Sequence, residues 1–486
     1  MKLALSPALV KKSLSSHSWI GLLVGVMMYL VCLSGTLAVF YQEFERWEQP
    51  AVEEYLDYDP VLIERAYREV LSTDTVDTHH MFMLLPTVEM PRASVSTDTQ
   101  GWFINADGSL GETISHPWTH LLLNLHLYLH LPTGFGMIVV SVLGALLCGL
   151  VVSGFMAHPR IFKDAFSLRL RGSRHLEQAD IHNRLSVWGA PFHLMIGVTG
   201  AYFGLSMLMA TLFAAASYEG DRDAVIAAVY GEEPALHQSV EPAAISSILQ
   251  KMHTIAPEAI PFYITLEDVN TPKQYVIVGA RHSGRLIYAE QYRFDTAGNY
   301  LDKAGFSDGD AGRQAIFSVY RIHFGHFGGF TVKILFGILG LALTVVSVTG
   351  INIWLARRKT RDSLNNLWIG FVWGTPVALA ATAITQIIFN IPSLGVFWVI
   401  LILSTAFAQW SNDDIRSKKT LLKLAALLLA FLVISYCLKF KEDAFNPVAL
   451  GINGALALTA AIFYWMGRKR KQTGSVTVPN ASLSDS

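Results

Sequence analysis

Eight uninterrupted apolar stretches dominate this chain, each long enough to cross a lipid bilayer as a helix. They lie near 18–40, 134–157, 184–213, 329–356, 366–389, 393–410, 419–438 and 447–466. About twenty apolar residues carry a helix through the hydrocarbon, where backbone polar groups must be satisfied within the helix itself. Only 15% of the 486 residues are charged, against roughly a quarter in soluble domains. A net charge of −1 gives no basic surface to track a phosphate backbone, so nucleic acid is not an expected partner. The first apolar run is long and lacks a small-residue cleavage site, so it reads as an uncleaved span. Cys32, Cys148 and Cys437 all fall inside apolar runs, where they are packing residues and not a disulfide framework.

Basic residues in the short connections orient the spans. Lys2, Lys11 and Lys12 precede span one. Arg160, Lys163, Arg169, Arg171 and Arg174 lie between spans two and three, and Arg357, Arg358, Lys359 and Arg361 follow span four. Arg416, Lys418 and Lys419 separate spans six and seven, and Arg468, Lys469, Arg470 and Lys471 follow span eight. With eight spans all of these share one side. Both termini are then expected in the cytoplasm of a bacterial cell, in its inner membrane, with two long polar segments, 43–118 and 214–316, in the periplasm.

Each polar segment reads as a small α+β module. In the first, Pro60–Ser72 has helical periodicity, and His80–Pro86, Ala93–Ser96 and Gly101–Asn105 are strand candidates before the turn at Asp107-Gly108. In the second, Ala243–His253 is helical, and Pro261–Asp268, Gln274–Ala280 and Leu286–Phe294 are strands closed by a turn at 295–299. The expected partition is 1–42 (terminus and span one), 43–133 (first module and pre-helix segment), 134–213 (spans two and three), 214–320 (second module), 321–360 (span four), 361–471 (spans five to eight) and a disordered tail at 472–486.

The first four spans contain a duplication. Each carries a hydroxyl-glycine step: Ser34-Gly35, Ser153-Gly154, Thr199-Gly200 and Thr349-Gly350. His17 precedes Ser34 by 17 residues, and His182 precedes Thr199 by the same number; His126 precedes Ser153 by 27, and His323 precedes Thr349 by 26. The unit of helix, outer module and helix therefore occurs twice in parallel, with a pseudo-twofold axis along the membrane normal. Small residues at the steps let helices, or a flat cofactor, approach closely. The axis would set His17 against His182 near the cytoplasmic helix ends, and His126 against His323 near the periplasmic ends. Two facing imidazoles are what a six-coordinate haem requires, one nitrogen from each axial side. A single histidine at a helix end is ordinarily an interfacial or capping residue; four at matched positions favour the cofactor reading.

Other histidines are less regular. His193 lies about three turns into span three, where an ionisable residue is costly and functional by default. It could ligate iron in place of His17, or hydrogen-bond a haem propionate or a ligand histidine. His130 and His326 lie close to His126 and His323 and could act as ligand or supporting partner. His158 reads as an interfacial anchor, and His79, His80, His237, His253 and His282 as solvated. His116-Pro-Trp-Thr-His120 reads as an interfacial belt, its proline opposing a helical chelate. No phosphate-binding or dinucleotide loop occurs, and no Cys-x-x-Cys-His, so any haem is non-covalent.

These residues carry a resemblance. His17-Ser18-Trp19-Ile20-Gly21, Leu125-His126, Ser153-Gly154 with Ile161-Phe162-Lys163-Asp164, Asp180-Ile181-His182-Asn183, Pro191-Phe192-His193, and His323-Phe324-Gly325 with Gly328-Gly329 and Thr349-Gly350…Trp354 are similar to the PepSY-associated transmembrane helix family, which includes bacterial inner-membrane ferric-siderophore reductases. The resemblance spans 17 to about 357 and implies two PepSY-like modules on a four-helix core holding haem b. It further implies reduction of a ferric siderophore in the periplasm, releasing Fe(II).

The expected fold is therefore a mainly α-helical membrane protein: a duplicated helix–module–helix core, two α+β periplasmic modules and four further C-terminal transmembrane helices. The expected function is oxidoreductase electron transfer through two haem b groups to a ferric chelate. The electrons would come from a separate cytoplasmic protein or a membrane quinol, since no flavin or nicotinamide motif is present. Two rivals remain on the residues alone. One is a non-enzymatic assembly protein with structural histidines. The other is an iron or siderophore transporter, with Gln386 and Asn390 the chief polar residues of spans five to eight.

Overall fold

The computed structural model describes residues 6–72, 78–158, 160–166, 174–304, 309–358 and 360–468. The expected tail at 472–486, and Lys2, Arg169, Arg171, Lys359, Lys469, Arg470 and Lys471, lie outside the described residues. Eight described helices are long and apolar enough to span a membrane. The chain divides into two compact units, 1–360 and 361–486.

The first unit begins with α1 (Pro7–Ala38), whose Ser6 hydroxyl accepts from the Leu9 amide ahead of a proline at the first helical position. A short helix, α2 (Tyr41–Glu48), leads to the first module: α3 (Pro60–Leu71), β1 (Met81–Leu84), β2 (Ala93–Ser96), β3 (Gly101–Ile104) and β4 (Leu110–Thr113). Next come α4 (Pro117–Tyr128), the span α5 (Thr133–Ala157), the four-residue α6 (Ile161–Asp164) and the long span α7 (Arg174–Ser217). The second module contains α8 (Arg222–Tyr230), α9 (Ile245–Ile255), β5 (Ala259–Glu267), β6 (Tyr275–His282), β7 (Glu290–Phe294) and β8 (Tyr300–Ala304). It is followed by α10 (Ala311–Phe324) and the span α11 (Gly329–Arg357).

The four spans close into a ring. α1 packs on α5 and α11, and α7 packs on the same two helices, so α1 stands diagonally across from α7. Glycines allow the approach: a Cβ on Gly144 of α5 would stand 2.9 Å from the Gly197 carbonyl oxygen of α7, and one on Gly340 of α11 would stand 2.7 Å from Thr36 Oγ1 of α1. Large apolar side chains such as Leu23 and Ile338 point outward and are exposed, as lipid-facing residues must be.

The two modules are not separate bodies. Their strands form one antiparallel sheet in the order β4-β3-β2-β1-β5-β6-β7-β8, joined at its centre by β1 and β5, with Met83 opposite Ile264. The fusion covers on both modules an edge strand that would otherwise carry unpaired backbone groups. β4 and β8, one at each end, extend the expected strand sets. α3 and α9 cover one face, over a core that includes Ile63, Tyr67, Met81, Ile264, Val276 and Ile248. Glu64 of α3 accepts from the Ser246 amide (2.7 Å) and hydroxyl (2.6 Å) in the first turn of α9, tying the halves together.

His126 and His323, expected near the periplasmic ends of spans two and four, lie on α4 and α10. Each is a separate helix. α4 ends where Leu129 and His130 take left-handed φ of 53° and 56°, and α10 ends at Gly325 with φ 70°. In both, the amide two residues past the last helical residue reaches back: His130 to the Asn124 carbonyl (3.3 Å) and His326 to the Arg321 carbonyl (3.0 Å). That closure stops a helix and turns the chain.

The second unit contains α12 (Ser363–Ala383), α13 (Ser393–Ser411), α14 (Asp414–Phe440) and α15 (Pro447–Arg468). Asp362 and Asn365 form a reciprocal cap at the start of α12. The helix widens to a π turn at Ile384–Ile388, where Lys439 donates to the Ile387 carbonyl at 2.5 Å. Gln386 and Asn390 bond to each other at 3.4 Å.

Candidate functional site

The hydroxyl-glycine steps and the histidines meet, but across helices. His17 of α1 leans on Ser153-Gly154 of α5, where its Nδ1 donates to the Leu150 carbonyl (3.0 Å) beside the Ser153 hydroxyl (3.2 Å). His182 of α7 repeats this on Thr349-Gly350 of α11, with Nδ1 donating to the Val346 carbonyl (3.1 Å) beside Thr349 Oγ1 (3.2 Å). His126 of α4 leans on Ser34-Gly35 of α1 and donates to the Val31 carbonyl (2.9 Å). His323 of α10 uses Thr199-Gly200 of α7. The Thr199 hydroxyl gives its proton to the Met195 carbonyl (2.7 Å), so its oxygen accepts from His323 Nδ1 (2.8 Å).

A carbonyl only accepts, so these bonds place the ring proton on Nδ1 and leave the Nε2 lone pair free for a metal. The glycine exposes the helix surface to the ring. A Cβ on Gly35 would stand 2.6 Å from His126 Cε1, so a side chain there would displace the ring; at Gly154, Gly200 and Gly350 the equivalent distances are 3.3, 3.4 and 3.4 Å. The small residues thus seat histidine rings, a more specific role than the close approach expected of them.

The four rings form two pairs. His17 and His182 have ring centres 6.2 Å apart with planes at 83°; His126 and His323 are 6.3 Å apart with planes at 28°. An imidazole nitrogen sits about 2.0 Å from a bound metal and about 1.1 Å from its own ring centre, so two rings on opposite sides of one metal have centres roughly 6.2 Å apart. Both pairs therefore have the spacing of two axial ligands on one ion. Each pair offers two nitrogen donors, the axial set that a metal held in a macrocycle takes.

The first pair lines a cavity of about 410 Å³ with Gly154, Gly350, Asn183, Arg357 and His193. The second lines one of about 130 Å³ with Gly35, Gly200, Cys32, Phe192 and Phe203. Met28, Leu147 and Leu343 border both. On α1 the pairs are stacked end to end: 17 residues separate His17 from Ser34, about 26 Å of helical rise. These residues fit haem b: neutral imidazole donors, apolar walls and ring spacing agree.

His193 is buried and lines the first cavity, where Nε2 has no hydrogen-bond partner. His130 and His326 do not line the second cavity. His130 sits in the left-handed turn after α4 with Nε2 donating to the Leu121 carbonyl at 2.8 Å, and His326 packs at a tilt among Tyr41, Tyr320 and Phe324. His116 is buried against Phe103, and burial pushes its imidazole down to about 3.

Sequence reasoning missed two supports. Glu48 of α2 caps α4: its carboxylate accepts from the Thr119 amide (2.7 Å), the Thr119 hydroxyl (2.6 Å) and the Trp118 amide (3.1 Å). Burial pushes its carboxyl up to about 6, against the pull of those bonds. Lys333, inside the first turns of α11, is buried and paired with Glu43 at 2.7 Å and Gln42 at 3.0 Å. A lysine within an apolar span was the available signal.

Duplicated spans, a fused eight-stranded sheet and two imidazole pairs set end to end define a multi-pass membrane protein with paired histidines. The chain belongs to the PepSY-associated TM region family, whose pattern matches residues 14–357. It is also similar to an uncharacterized protein of Pseudomonas aeruginosa, 26% identical over 282 residues that cover 54% of this chain and 71% of that protein.

Proposed function

We propose that this protein carries electrons across a bacterial inner membrane through two non-covalent haem b groups and reduces a ferric siderophore or similar ferric chelate on the module side. The observation that carries the reading is the pair of stacked imidazole pairs at 6.2 and 6.3 Å. His17 and His182 would hold one group, and His126 and His323 the other. When bound, haem b supplies a one-electron Fe(III)/Fe(II) couple.

The chain's own residues do the rest. The Leu150, Val346 and Val31 carbonyls and the Thr199 hydroxyl fix each ring's tautomer and make Nε2 a better donor. Apolar helix walls keep water from the sites. Positive residues beside the spans, Lys11, Lys12, Arg160, Arg357, Arg358, Arg361 and Arg416, favour cytoplasmic termini and a periplasmic sheet. Electrons then enter at His17–His182 from a cytoplasmic protein or a quinol and leave from His126–His323. The substrate Fe(III) accepts one electron, and its hard oxygen ligands hold the resulting Fe(II) less tightly.

Purified full-length protein tests this. The reading expects reducible b-type bands, two haems per chain by pyridine haemochrome, and reoxidation of the reduced protein by Fe(III)-desferrioxamine. Fully loaded preparations with well under one haem per chain would overturn it. Reporter fusions at residues 80 and 260 should behave as periplasmic; a cytoplasmic signal from either reverses the direction of flow.

A further inference from the structure

Two of the matched positions, one helical turn apart, differ between the halves in a way that bears on the cavities. An offset of 165 residues carries His17 to His182 and Ser34-Gly35 to Thr199-Gly200; the same offset carries Val24 to Gly189 and Met28 to His193. In the first half Val24 and Met28 are buried apolar residues, and Met28 borders both cavities. In the second half the two changes fit each other. A Cβ on Gly189 would lie 2.4 Å from His193 Nε2, so the imidazole rests on its own helix one turn back toward His182, in space that a side chain at 189 would fill.

His193 is 1% exposed. Its neighbour Phe192 borders the module-side cavity, while His193 itself borders the other, so this turn of α7 completes the partition formed by Met28, Leu147 and Leu343. A buried imidazole nitrogen without a partner is unfavourable, and more so inside a membrane. Methionine fills the matched place in α1, so packing alone does not call for histidine here. The chemistry that repays it is a hydrogen-bond acceptor within the cavity. A haem b periphery carries one kind of acceptor, its carboxylate side chains.

We propose that His193 is a positioning residue of the His17–His182 site: its Nε2–H would bond a carboxylate of the haem held there and raise that haem's potential. The inference rests on the haem reading above. A neutral donor on the carboxylate withdraws negative field from the iron, so losing it should lower the potential.

The test uses full-length protein as wild type, His193→Met, His193→Gln and Gly189→Ala, with haem content by haemochrome and midpoints by redox titration. His193→Met, which copies the matched residue of α1, should keep two low-spin haems and lower one midpoint by a tenfold change in the one-electron equilibrium, about 59 mV. The other midpoint should stay. His193→Gln keeps an N–H donor and should lie nearer wild type. Gly189→Ala pushes the ring from its seat and should reproduce the methionine shift, so it decides the matter if His193→Met does not accumulate. Unchanged midpoints in His193→Met and Gly189→Ala would overturn the proposal and leave packing. Loss of one haem in both His193 variants, with both haems retained in His17→Ala, would overturn it in favour of direct ligation. Wild-type protein without haem would instead remove the underlying reading, and the proposal with it.

Discussion

The two histidine pairs follow one plan yet are built from different parts. On the side away from the sheet, His17 and His182 belong to the spans themselves, and Cβ atoms at their seats, Gly154 and Gly350, would stand 3.3 and 3.4 Å from the rings. On the module side, His126 and His323 come from α4 and α10, separate helices that lie against the bundle, and a side chain on Gly35 would displace the His126 ring. The first pair is nearly perpendicular and the second nearly parallel. The first site thus depends on span packing and the second on how the outer helices are anchored. A site whose ligands lie on short helices needs caps and turns to hold them, which explains Glu48 at α4 and the left-handed closures after both helices.

The largest expected effect separates the sites outright. His323→Ala should remove the module-side haem, halving the low-spin signal or leaving one high-spin centre, while the other haem stays reducible; transfer to an added ferric chelate should collapse. His182→Ala should do the reverse. Loss of both haems from either variant would show that the sites are not independent.

Next comes the difference between seats. Gly35→Ala should displace His126 and cost the module-side haem, whereas Gly350→Ala should leave two haems per chain. Equal behaviour in the haemochrome assay would break the contrast drawn from the Cβ distances.

The ring planes give a smaller, spectroscopic distinction. Ferric low-spin protein should show two electron paramagnetic resonance signals, a more axial one with large g from the perpendicular pair and a rhombic one from the parallel pair. His323→Ala should delete the rhombic signal. A single signal in wild type at full loading would contradict the two geometries.

The smallest effect concerns the anchor of α4. Glu48 holds its proton up to about 6 in the folded chain, above its ordinary 4.5. Its contribution is complete below pH 4.5 and is lost as pH rises through 6. Thermal melts at pH 4.5 and pH 7 should therefore differ less for Glu48→Gln than for wild type, with any loosening confined to the module-side spectrum. An unchanged difference would remove Glu48 from the account.

The local patterns were legible in the amino-acid order. Runs of apolar residues define spans because the bilayer demands them, and eight helices of that kind stand among the described residues. Strand alternation located β1 to β3 and β5 to β7, and the matched spacing of histidines and hydroxyl-glycine steps exposed the duplication. Those signals are local or periodic, so a single chain displays them. What required the tertiary structure was partnership. His17 and Gly35 share a helix, yet His17 rests on the Ser153-Gly154 step and Gly35 receives His126, because a side chain at a helix surface meets its neighbour's face. Likewise β1 gives no sign that β5 is its partner, since antiparallel pairing depends on which edge is brought near. His193 shows the same limit: its position in an apolar span marked it as unusual, but only the packed bundle placed it over Gly189, at the partition between two cavities and with a nitrogen left to bond.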